Sequence, residues 1–165
     1  MIFTGNTLLD AIVFTIGFVL ILMVPFVINP RLFYNDMPAA IKAKAEPLTK
    51  KETTTAWLLF VLLVGFGLGF LILSARGFNL KYAGRPGFWP LFWHLFWQVE
   101  LANAVDLLIL DWLLFATINP KWMSLPGTQG DPAYKEYKSH FIGFLIGTGL
   151  ATVLAAVIGG IVYLS

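Results

Sequence analysis

The sequence predicts an all-α, polytopic membrane protein with four transmembrane helices, built as two similar helix-loop-helix halves in one integral membrane domain over residues 1–165. Composition is the first ground. Of all residues 58% are hydrophobic and mean hydropathy is +0.79, whereas a soluble domain is nearer ~45–50% apolar. The second is pattern: apolar blocks fall at about residues 8–28, 56–75, 99–118 and 141–164, each close to the ~20 residues that cross a hydrocarbon core. The third is self-similarity. Ile28-Asn29-Pro30-Arg31 and Ile118-Asn119-Pro120-Lys121 stand ninety positions apart. At that offset Asp10 aligns with Glu100, and both loops continue to a proline pair, Met37-Pro38 and Leu125-Pro126. Gly65-Phe66-Gly67-Leu68 then finds its counterpart in Gly147-Thr148-Gly149-Leu150. Halves repeated in the same orientation are related by an axis along the membrane normal.

The first block reads as a retained span. No Lys or Arg precedes it, it is longer than the apolar region of a signal peptide, and no small-residue cleavage site follows. Thr7-Leu8-Leu9-Asp10 has capping-box spacing, which gives Asp10 a purely local role. Pro25 removes one backbone hydrogen bond near the end of the span, and Asn29-Pro30 stops it. In the loop beyond, AAIKAKAEPLTKKE reads as a short basic surface helix ended by Pro47, its lysines snorkelling toward headgroups. Thr53, Thr54 and Thr55 offer caps for the second helix. Gly65, Gly67 and Gly69 within it allow a neighbouring backbone to approach.

A short Gly- and Pro-containing loop from Arg76 to Gly87 makes the second and third helices antiparallel neighbours. The third opens with an aromatic entry, residues 88–98, in which Trp89, Trp93 and Trp97 form an interfacial belt. From Pro90 to Ile118 a helix would be over ~40 Å long, more than the ~30 Å hydrocarbon core, so its beginning belongs to the interface. The fourth begins at Asp131-Pro132, an N-cap followed by proline at the first helical position. Along it Gly143, Gly147, Ala151, Ala155 and Gly159 recur every four residues, a small-xxx-small stripe suited to helix packing.

The residues that bear on function lie in the third helix. Glu100, Asn103, Asp106 and Asp111 interrupt an apolar run, and acids at such depth normally face a protein interior or a wet cavity. Counted from Ile118, Asp111 is roughly 10 Å and Asp106 roughly 18 Å along the helix, which places them about the midplane. Their counterparts in the first half are Ile16 and Ile21, so these aspartates belong to the second half alone. At an α-helical ~100° per residue, Glu100, Asn103 and Asp111 share a stripe and Asp106 points about 140° away from Asp111. The four apolar blocks contain no Lys or Arg. Their acids must therefore be protonated, hydrogen-bonded or neutralised by a bound cation. His140, early in the fourth helix, is placed to approach Asp111 from the end of the span.

Two readings follow. In the first, the intramembrane carboxylates, with Asn103 and His140, bind or conduct a proton or small cation. In the second, the chain is a non-catalytic structural or accessory subunit that docks other membrane helices, as a homo-oligomer or beside another membrane subunit. An enzyme is disfavoured, because no nucleophile and base stand at a recognisable spacing. Neither a metal nor a cofactor is expected, since the chain has two histidines, no cysteine and no Glu-x-x-His pattern. The partner is the lipid bilayer; a net charge of +2 without a basic, aromatic-interleaved run argues against nucleic acid. Eight Lys and Arg residues in the first and third loops against three in the second place loops 1 and 3 in the cytoplasm and both termini outside, in a bacterial-type plasma membrane.

Overall fold

The computed structural model describes residues 5–84 and 86–164. Among these the secondary structure is entirely helical. Four elements are long and apolar enough to cross a membrane, at Thr7–Ile28, Lys50–Lys81, Phe88–Ile118 and Pro132–Leu164. We label the helices α1 (Thr7–Ile28), α2 (Ala39–Lys42), α3 (Lys50–Lys81), α4 (Phe88–Val105, continuing as π-helical turns over Asp106–Ile118) and α5 (Tyr137–Leu164). Leu20, Val27, Phe60, Ile146 and Val153 are among the many large side chains left more than half exposed on the outside of the bundle. An exposed apolar surface of this extent is of the kind that marks contact with a membrane or with another protein.

Helix α4 is the centre of the assembly and packs against α1, α3 and α5. Toward the α3–α4 turn, Leu71, Ala75 and Phe78 of α3 meet Leu91, Phe92 and Leu95 of α4 and Ala155 and Ile158 of α5. Nearer the middle, Phe14 of α1, Phe70 of α3 and Ala102 of α4 form a second core. Gly17 admits the Phe66 ring there: a Cβ at Gly17 would run into it. At the other end Met37, Ile41, Phe115, Met123, Leu125 and Tyr134 join loops 1 and 3 into a small cap. Lys44 pairs with Asp131 across these loops, so both lie at one end of the bundle.

Local chemistry differs from the sequence reading at several termini. Asn6, not Thr7, caps α1, its side chain accepting from the backbone N–H groups of Leu8 and Leu9. The loop-1 surface helix is one turn long, Ala39–Lys42, and ends well before Pro47. Ile41 is fully buried in the cap, so the segment is held by packing rather than laid on a surface. Helix α3 starts at Lys50 under a complete capping box between Thr49 and Glu52. Thr53, Thr54 and Thr55 are therefore interior, and each hydroxyl donates to the carbonyl four residues back. Arg31 ties loop 1 to α3 through Glu52, at 2.6 Å, and braces loop 1 against itself through the carbonyls of Glu46 and Pro47. Asp131-Pro132 opens only a short 3₁₀ turn, Pro132–Tyr134, and α5 begins at Tyr137.

The small residues also divide by role. On α5, Gly147 abuts the Asn103 side chain so closely that an added Cβ would collide with it. Ala151 and Ala155 are buried, and Gly159 lies against Phe92, Leu91 and Leu95 of α4. Gly143 has open space, as do Gly65, Gly67 and Gly69 on α3. Gly65, Gly67 and Gly69 thus approach no neighbour among the described residues.

Candidate functional site

The polar residues of α4 separate into three groups, and a change of helix type separates them. Up to Val105 the backbone is α-helical, and from Asp106 to Ile118 it is π-helical. The last turn shows the i→i+5 register directly: the Asn119 N–H donates to Leu114 O at 2.8 Å, and the Thr117 hydroxyl to Trp112 O at 2.6 Å. The wider turn of such a helix brings residues five apart, like those four apart, onto nearly one face. Asp106 and Asp111 are five apart. The α-helical expectation that they diverge by about 140° therefore fails, and both carboxylates line one cavity of about 570 Å³.

This cavity is a cleft between α1 and α3, closed behind by the π-helical turns and below by the loop cap. His140 of α5 reaches it, with Nδ1 3.0 Å from Asp111 Oδ2. Phe115 sets its ring edge against the imidazole at 5.4 Å. Asp36 of loop 1 stands on the exposed rim, yet protein crowds its carboxyl. Burial pushes that group above its ordinary 3.8, against the pull of Lys42 and with a further push from Asp111. Phe18, Phe26, Phe33, Trp57 and Phe60 supply much of the apolar wall. No Lys or Arg is among the described residues that line it.

Glu100 and Asn103 do not belong to this cavity. They precede the switch in helix type and face α5 instead. The Thr148 hydroxyl donates to Glu100 Oε1 at 3.0 Å, and Asn103 Nδ2 donates to Phe144 O at 3.0 Å and toward Thr148 Oγ1 at 3.4 Å. Glu100 Oε2 is buried without a hydrogen-bond partner among the described residues. The stripe expected to carry Glu100, Asn103 and Asp111 together is thus broken after Asn103.

The third group was not anticipated. Asp10, only 3% exposed, turns inward from α1 rather than capping it. Ser74 Oγ donates to Asp10 Oδ2 at 3.0 Å, and accepts from Gln98 Nε2 at 2.9 Å. Its remaining lone pair faces His94 Nε2 at 2.9 Å, so that nitrogen carries the ring proton. The opposite nitrogen, Nδ1, is then free to accept from the Thr7 hydroxyl at 3.0 Å. Serine, histidine and aspartate together suggest a catalytic triad, but the geometry is wrong for one. Asp10 Oδ2 is 3.7 Å from the same Nε2 that faces the serine, whereas a triad acid holds the far nitrogen. With Ser74 and His94 buried to within 1%, the cluster is a polar tie between α1, α3 and α4. The sequence signal for it was the i, i+4 pair His94 and Gln98, which puts two polar side chains on one face of the aromatic entry.

Among the described residues no three His, Asp or Glu side chains are grouped to hold a metal ion. No protein-family model, curated protein or solved structure matches the chain.

Proposed function

We propose that the chain is an integral membrane protein whose Asp106, Asp111 and His140 form an intramembrane site that binds or conducts a proton or small cation. The observation that carries this reading is the π-helical backbone, which aims two acids into one cavity where α-helical turns would part them. π-Helical turns concentrate at functional sites because they are poor packing solutions otherwise. The Asp111–His140 contact adds an imidazole, a group able to take up and release a proton. In the same reading loops 1 and 3 are cytoplasmic, the termini are outside, and the two halves descend from one helix-loop-helix unit whose second copy acquired the aspartates.

The test is flux through proteoliposomes holding the full chain, under an imposed pH gradient or membrane potential. Asp106→Asn and Asp111→Asn are each expected to lower proton or cation flux at least tenfold while leaving the melting temperature within a few degrees. Wild-type flux in both variants would overturn the reading. It would leave the accessory-subunit alternative, which draws support from the open faces of Gly65, Gly67 and Gly69.

A further inference from the structure

The cleft differs from a simple ion site in size and in lining. A volume of about 570 Å³ falls in the range of small-molecule sites, which are mainly apolar with a few placed polar groups. A bare inorganic cation instead wants several oxygen ligands at short range, and the described walls are mostly aromatic and aliphatic carbon. The titratable groups facing the cleft are Asp106 and Asp111 from α4, Asp36 from loop 1 and His140 from α5; Lys42 acts on Asp36 from outside it. The ionisable groups facing the cleft are therefore acids, apart from the one imidazole.

Access is also lateral. Trp57 and Phe60 on the α3 side are 64% and 56% exposed, and their rings meet edge to face at 5.7 Å. They form an aromatic lip on the side that, in a bilayer, meets the acyl chains. Aromatic faces attract cations, most strongly where water is excluded.

We infer that the cleft takes an organic cation, an ammonium group carried on an apolar body, with the charge against Asp106 and Asp111 and the body among the aromatic rings. This rests on the acidic-site reading above and names its substrate class. An amphipathic cation dissolved in the membrane reaches the cleft between α1 and α3 without crossing the loop cap.

Benzyltrimethylammonium is a suitable probe, because its charge does not depend on pH and its ring matches the lip. Equilibrium dialysis of the detergent-purified full chain should show saturable binding. Asp106→Asn or Asp111→Asn should weaken it tenfold or more, and Trp57→Leu or Phe60→Leu threefold or more. Those two rings are exposed, so their loss leaves the core intact. Asp131→Asn, which breaks only the Lys44 pair outside the cleft, should bind as wild type does. Sodium at matched ionic strength should not compete. Binding that is non-saturable, or indifferent to both aspartate variants, overturns the inference. If the probe does not bind while flux stays dependent on Asp106, the organic-cation assignment falls and the proton or inorganic-cation reading stands. If neither assay depends on the aspartates, both fall.

Discussion

At the scale of single residues, the chain places acids in settings that give them different work. Asp10 accepts a buried serine hydroxyl, Glu100 accepts a threonine hydroxyl, and Asp111 faces an imidazole. Asp36 is the acid outside the spans whose folded environment opposes its charge, because burial and Asp111 together outweigh Lys42. A carboxyl whose folded pKa lies above its unfolded value favours the fold when protonated. That contribution is complete below the ordinary value of 3.8 and is lost as pH rises through the folded value. Asp36→Asn is therefore expected to stabilise the protein at neutral pH, by less than about 1 kcal/mol because the rim is wet. Below pH 3.8 it should have no effect. Thermal melts of both proteins across this range check the sign; a variant less stable than wild type at neutral pH would contradict it.

At the scale of elements, the four long apolar helices were legible because composition alone marks them. The blocks read at 8–28 and 141–164 lie inside Thr7–Ile28 and Tyr137–Leu164. The π-helical turns were not legible, for a physical reason. Asp106–Ile118 reads DLLILDWLLFATI, apolar on nearly every face, so no hydrophobic stripe marks its phase and nothing local distinguishes 3.6 from a longer turn. What does mark the segment is its exit. Asn119 is left-handed, φ 45°, and its N–H closes the last i→i+5 bond. Its side chain donates to Phe115 O at 3.1 Å and accepts from Ser124 Oγ at 3.0 Å. Asn29, at the equivalent place after α1, is extended instead, φ −157°, so identical Ile-Asn-Pro words end the two helices differently. Asn119→Gly keeps the left-handed turn and loses the two side-chain bonds, a cost of about 1–2 kcal/mol. Asn119→Val adds left-handed strain of roughly 1–2 kcal/mol more. Chemical denaturation in mixed micelles should rank wild type above Gly and Gly above Val. If Val matches Gly, the left-handed cap is not what ends these turns.

At the scale of the whole molecule, polar groups are sorted along the bundle. The Asp10–Ser74–His94 tie lies toward the α3–α4 turn, the Glu100–Thr148 contact lies between α4 and α5, and the acidic cleft opens above the cap formed by loops 1 and 3. The cap is the one region that composition misdirected. Its lysines suggested a surface helix, while Ile41, Met123, Leu125 and Tyr134 bury a core there and Lys44 reaches Asp131. Because these loops share one end, the orientation of the entire chain follows from any exposed residue in either of them. In the orientation proposed from the excess of Lys and Arg in loops 1 and 3, that end, and with it the cap that closes the cleft, faces the cytoplasm. The sequence has no cysteine, so single cysteines report without background. Ala43→Cys in the cap and Tyr82→Cys at the end of α3 are both exposed positions. In intact cells a membrane-impermeant maleimide should label the Tyr82 position and spare the Ala43 position, which should label only after permeabilisation. The reverse pattern would overturn the proposed orientation and place the capped end of the cleft on the outside, with lateral entry between α1 and α3 unchanged.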